Sequence, residues 1–168
     1  MKKDFSEKKL WGIERTSNRP ERLVYIYEAL KKIDLPKNFK LVDIACGYGV
    51  IVDGLGALFP DATISGVDIV KYKQWDMISD FFGVKMIQMP LQDFIKLDNK
   101  YDVVMMLNSY RNWTVQKNMN KRSVAKYNFD KWLLSHAKYF ITSKGNLTYK
   151  KIIIGSDFRG YEIELYTL

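Results

Sequence analysis

The stretch Leu41-Val42-Asp43-Ile44-Ala45-Cys46-Gly47-Tyr48-Gly49 constrains this chain more than any other. An apolar run with one acid inside it ends in a glycine-bearing turn. Leu55, Leu58 and Phe59 then follow at helical spacing. A strand that passes through a tight turn into a helix is the opening unit of a parallel α/β sheet. Gly47 and Gly49 let the backbone turn sharply and approach a ligand, because no Cβ stands in the way. The helix start beyond them offers N–H groups with no partner in the helix.

The alternation continues. Strands are expected at Lys40 to Ala45, Ala62 to Ile69, Val84 to Met89 and Tyr101 to Leu107. Tyr72, Trp75, Ile78 and Phe82 mark an amphipathic helix that Gly83 stops. Upstream, Pro20 opens a helix with the stripe Leu23, Ile26, Tyr27, Leu30 and Ile33, which ends before Pro36. Asn18 and Glu21 have the spacing of a capping box. The fourth strand is apolar on both faces, as a central parallel strand must be. The last third differs. Phe129 to Lys138 reads as a helix and Tyr139 to Ser143 as a fifth strand. Tyr149 to Gly155 and Tyr161 to Thr167 are strand-like runs joined by Ser156-Asp157-Phe158-Arg159-Gly160, a hairpin signal. The expected fold is therefore α/β, a doubly wound, mostly parallel sheet with a C-terminal antiparallel hairpin. Residues 20–168 form its domain, and residues 1–19 read as an N-terminal arm or lid.

In open α/β sheets ligands bind at the carboxyl ends of the strands. Asp68 closes the second strand 19 residues past Gly49, near the ~20 expected for a carboxylate that accepts ribose hydroxyls. Gln92-Asp93 follows the third strand, where a carboxylate can accept a hydrogen bond from the exocyclic amine of adenine. A nicotinamide dehydrogenase needs Gly-x-Gly-x-x-Gly, and Val52 stands where the third glycine belongs.

Val42 to Gly49 resembles the first motif of class I S-adenosylmethionine-dependent methyltransferases, acid-x-Gly-x-Gly-x-Gly, with Ala45 in place of the first glycine. Asp68, Gln92-Asp93, Tyr101 to Val104 and the terminal hairpin resemble further features of that family. The resemblance covers about residues 20–168 and implies that the chain is an enzyme with S-adenosylmethionine as cofactor. It implies a binding set of Asp43, Ala45, Gly47, Tyr48, Gly49, Asp68, Ile69, Gln92, Asp93 and Asn108. Asp43 would organise the loop near the methionine amine, and Gly47 and Gly49 would admit methionine and ribose. Asp68 would hold the ribose, Ile69 would lie against adenine, and Asp93 would take its amine.

Methyl transfer from a sulfonium is an in-line displacement that asks mainly for positioning. Asn108, Tyr110 and Arg111, just past the fourth strand, are the catalytic candidates. Asn108 and Tyr110 echo the motif of amino-methylating DNA enzymes, but Ser109 replaces its prolines and the spacing is short by one, so that activity is not supported. From Val103 to Phe129 there is no acid, whereas Arg111, Lys117, Lys121, Arg122 and Lys126 occur with Trp113 and Tyr127. The arm adds Lys8, Lys9, Trp11, Arg15, Arg19 and Arg22. With a net charge of +8, these residues suit phosphate contacts and base stacking, or serve only as solvated charge. The acceptor is left open between nucleic acid and small molecule. A subunit or sensor that holds the cofactor without transfer, and an enzyme that cleaves it otherwise, also remain open.

The single cysteine, Cys46, forbids an internal disulfide. With the polar start Met1-Lys2-Lys3-Asp4, this leads to the expectation of a cytoplasmic protein. No apolar run nears the ~20 residues of a membrane span, and no cluster has metal-ligand spacing. His136, the one histidine, is expected to be structural.

Overall fold

Leu41 and Val42 are neighbours in sequence and both are fully buried; so are Val103 and Val104, and Phe140 and Ile141. Successive strand residues face opposite sides of a sheet, so these three strands are covered on both faces. In the computed structural model, which describes residues 20–107, 119–143, 145, 147–156, 160 and 162–168, helices supply that cover. The elements run α1 (Pro20–Leu30), β1 (Lys40–Ile44), α2 (Val50–Leu58), β2 (Thr63–Asp68), α3 (Trp75–Phe82), β3 (Lys85–Gln88) and α4 (Leu91–Phe94). They continue with β4 (Tyr101–Met106), α5 (Met119–His136), β5 (Ala137–Ser143), β6 (Lys151–Ser156) and β7 (Glu162–Thr167).

The seven strands form one sheet in the order β3-β2-β1-β4-β5-β7-β6. The first five are parallel, and β7 runs antiparallel to both β5 and β6. This is the expected doubly wound sheet with a terminal antiparallel pair; the linking residues 157–159 and 161 lie outside the described residues. One core packs Ile26, Val52, Leu55 and Ile78 of α1, α2 and α3 against Leu41, Val103 and Ile141. The other packs Phe94 of α4 and Phe129, Trp132 and Leu133 of α5 against Val42, Val104 and Phe140.

Most strand ends fall within a residue or two of the expectation, and the largest difference is at the last helix. Helix α5 begins at Met119 rather than Phe129, and Ala137 and Lys138 belong to β5 rather than to the helix. The expected start lay where the apolar stripe of Phe129, Trp132 and Leu133 begins. Residues 119–128 contain neither glycine nor proline, so the helix extends upstream without a stripe to announce it. Lys121, Arg122 and Lys126 therefore lie on a helix, not in a loop.

At the amino edge of the sheet, Asp102 accepts the Lys40 N–H (2.9 Å) and the Lys138 ammonium (2.7 Å), tying β1, β4 and β5 together. On the far side, Glu164 of β7 is 3% exposed. Its Oε2 accepts the Tyr166 hydroxyl and the Gly145 N–H, each at 2.6 Å, and its Oε1 accepts the Lys151 ammonium. The carboxylate thus pins the β5–β6 connection to the terminal pair. Glu164→Ala is expected to destabilise the fold by about 2–3 kcal/mol, because buried partners of a charged group lose their bonds. A urea unfolding midpoint equal to wild type would contradict this.

Candidate functional site

Strand order reverses at β1: β2 and β3 lie to one side, β4 and β5 to the other. The crevice at the carboxyl ends of β1 and β4 is the position where such sheets take ligands. Asp43 is the penultimate residue of β1, and the loop from Ala45 to Gly49 leaves from its end. Three residues of that loop have positive φ: Ala45 (59°), Gly47 (58°) and Gly49 (82°). Ala45 is the only non-glycine with such a backbone among the described residues. A Cβ on Gly49 would stand 2.6 Å from Met86 Cε, the end of a flexible side chain that can move aside, so it is the left-handed φ of 82° that calls for glycine here.

Hydrogen bonds fix the loop. Cys46 N–H donates to Val67 O (3.2 Å) and Gly49 N–H to Cys46 O (3.1 Å). Gly47 N–H donates to Asp68 Oδ2 at 2.9 Å, and the Trp75 indole N–H donates to Gly47 O at 2.9 Å. The second oxygen of Asp68 accepts Val70 N–H at 3.1 Å. Tyr48 and Tyr72 are in ring contact beside the loop, 4.7 Å between centroids.

Asp43 is 4% exposed, and its Oδ1 has no hydrogen-bond partner. Burial, then the negative charge of Asp68, pushes its pKa up to about 8 against the opposing pull of Arg22. Arg22 itself is 1% exposed. This corrects its grouping with a solvent-facing basic arm: it falls on the buried side of α1 with Ile26 and Leu30, one and two helical turns on. At the end of β5, Ser143 likewise buries a hydroxyl without a partner. Burial, then Asp43 and Asp68, raises the Cys46 thiol far above its ordinary range, which leaves it inert as a nucleophile. Burial first, then Asp68 and Tyr48, raises the Tyr72 hydroxyl.

The structure therefore brings Asp43, Ala45, Gly47, Tyr48, Gly49 and Asp68 together. Ile69, just past Asp68, is 65% exposed. Gln92 and Asp93 lie in α4 beyond β3, both exposed, and Asp93 pairs with Lys96 at 2.8 Å. Asn108, Tyr110, Arg111, Trp113 and Lys117, and the arm of residues 1–19, lie outside the described residues; so do the side chains of Lys121, Arg122 and Lys126. His136 is at the opposite edge, stacked on Trp132 (5.2 Å) with Nε2 3.2 Å from Asp98 Oδ1. Sequence reasoning missed the polar role of Trp75 and the burial of Arg22. For Arg22 the signal was present, since residues 22, 26 and 30 share a helical stripe. For Trp75 the periodicity marks a buried face but says nothing of where an indole N–H points.

A cleft of about 340 Å³ lined by Leu30, Ile33, Phe39, Leu58 and Phe59 opens at the amino edge, away from these acids. Among the described residues no group of three His, Cys, Asp or Glu side chains could hold a metal ion, and no helix is long and apolar enough to cross a membrane.

No protein-family profile and no curated protein sequence matches the chain. Solved structures do. The bifunctional kinase-methyltransferase WbdD superposes with a TM-score of 0.68 at 13% identity, over 93% of this chain and 41% of that one. Magnesium protoporphyrin IX methyltransferase (ChlM) from Synechocystis PCC 6803, with bound SAM, gives a TM-score of 0.60 at 15% identity over 99% of this chain and 85% of that one. The fold is that of the class I methyltransferases. The chain spans about two fifths of the length of the WbdD chain it matches.

Two outcomes follow from this geometry. Ala45→Gly removes a left-handed alanine that costs ~1 kcal/mol beyond what glycine's extra freedom in the unfolded chain takes back. The variant is expected to melt at or above the wild-type temperature; a clearly lower melting temperature would contradict this. For Asp43 the folded pKa lies above the unfolded one, so between about pH 4 and pH 8 the folded state holds the extra proton. The contribution of Asp43 to stability therefore falls as pH rises through that window. Asp43→Asn should flatten the slope and gain ~1–3 kcal/mol relative to wild type between pH 5 and pH 8. Urea titrations at the two pH values check this, and parallel shifts of both proteins would refute it.

Proposed function

We propose that the chain binds S-adenosylmethionine at the carboxyl edge of β1 and β2 and is a methyltransferase. The observation that carries this reading is the buried Asp43 carboxylate, with a partnerless oxygen, beside a glycine loop held by Asp68 at the point where strand order reverses. When bound, the cofactor supplies an activated methyl group on a positively charged sulfur. The residues present fit it. Asp43 offers a carboxylate whose burial a nearby cation would offset. Each oxygen of Asp68 has one N–H bond and keeps a lone pair, so the two can accept a pair of ribose hydroxyls without releasing the loop. Ile69 presents an exposed apolar surface suited to an adenine face, and Gln92 and Asp93 stand past the next strand for its amine. Gly47 and Gly49 keep the backbone low, and Ala45 narrows the space beside the methionine. Asn108, which follows Leu107 in the sequence, would complete the set.

Positioning is the main demand of the transfer. Asn108, Tyr110 and Arg111 are the residues proposed to meet the acceptor. Arg111, Trp113 and Lys117, with Lys121, Arg122 and Lys126 on the first turns of α5, fit an acceptor that carries phosphate, whether nucleic acid or small molecule. The net charge of +8 is in keeping with that.

Calorimetry is expected to detect S-adenosylhomocysteine binding and no comparable NAD binding. Asp68→Ala should weaken it at least ~10-fold, since hydrogen bonds to a charged group are worth ~1.5–3 kcal/mol each. Radiolabelled methyl transfer to RNA, DNA or a metabolite extract then decides the reaction. Tight NAD binding with no response to S-adenosylhomocysteine would sink the proposal. Binding without transfer would reassign the chain as a sensor or subunit, and cofactor breakdown without transfer as a cleaving enzyme.

A further inference from the structure

Gly47 is the middle residue of the loop from Ala45 to Gly49. Having no Cβ, it is free to rotate about both of its backbone torsions, yet it sits at φ 58°. Two side chains remove that freedom. Asp68 accepts the N–H on one side of its Cα, and the Trp75 indole donates to the C=O on the other, both at 2.9 Å. With both flanking peptide planes held, neither torsion can turn without breaking a bond. Trp75 is 2% exposed, and its ring packs with Tyr72, whose ring contacts that of Tyr48, the next loop residue. Both clamping groups come from the short stretch that ends β2 and begins α3, so residues 68–75 act as a template for the loop. A tryptophan needed only to fill the core would not require its N–H here, since a phenylalanine would fill much of the same space.

We propose that Trp75 is a positioning residue: its indole N–H holds Gly47 in the conformation that receives the cofactor, so that binding need not order the loop. This rests on the cofactor reading above. The Trp75→Phe variant keeps an aromatic ring in the core and deletes the donor. Phe39→Leu serves as a control that loosens the core at the opposite edge. In the free protein, amide hydrogen exchange at Gly47, Tyr48 and Gly49 is expected to accelerate at least ~5-fold in Trp75→Phe while β4 amides keep their relative protection. Affinity for S-adenosylhomocysteine should fall ~3- to 10-fold, the effect of losing one hydrogen bond, and more than in Phe39→Leu at a matched loss of melting temperature. Unchanged loop exchange, or equal affinity losses in the two variants, overturns the role of Trp75. If the wild-type protein binds no S-adenosylhomocysteine, the cofactor reading falls instead. The exchange experiment then decides the clamp alone, faster loop exchange supporting it and unchanged exchange refuting it.

Discussion

Strands β1 and β4 have no face toward water. Their side chains alternate between two cores, and their backbone groups are taken by the strands on either side. This double burial requires helices on both sides of the sheet, and it leaves the strand ends as the places where backbone polar groups open to a ligand. At the amino edge, Asp102 seals that opening with bonds to β1 and β5. At the carboxyl edge the chain instead places glycines, an unpartnered carboxylate oxygen and left-handed backbone at Ala45, Gly47 and Gly49.

The concentration of unfavourable features at that edge is informative. An alanine at φ 59°, a carboxyl whose pKa burial raises and a partnerless buried hydroxyl on Ser143 all lie at the carboxyl ends of the strands. Elsewhere Ser65, Thr142 and Glu164 are matched, Glu164 by three donors, whereas Trp132 Nε1 and Asp53 Oδ1 also lack a hydrogen-bond partner. Local costs of this kind persist where the surrounding structure over-determines them. Here the clamp on Gly47, the packing of Met86 over Gly49 and the double-sided core together hold the loop in place.

Much of this was legible in the sequence, for reasons that can be named. Runs such as Leu41 to Ile44 and Tyr101 to Met106 show burial on both faces through lack of alternation. The spacing from Gly49 to Asp68 is set by one helix and one strand, so it survives as a count along the chain. What was hidden depends on three-dimensional neighbours. Arg22 is the exception: its place on the stripe with Ile26 and Leu30 was legible, and its position among other cations masked it. The first turns of α5 carry no apolar stripe, so only the structure shows where that helix begins. The short helix α4 is too brief for any period to show. Trp75 looks like core because it is core; that it also donates to Gly47 depends on the loop that it meets.

The outer strand β6 has a consequence for how this protein behaves in a crowd. Among the described residues it bonds on one side only, to β7, and it exposes Ile152 and Ile153. An open strand edge with exposed apolar residues invites a second chain to add itself as an eighth strand. The register shift between Ile153 and Gly155 interrupts the border halfway, and Lys150 places charge at its start. A ladder begun on this border would meet the bulge within a few residues and twist away. The register shift in this six-residue strand and its flanking charge therefore work against edge-to-edge addition at this end of the sheet.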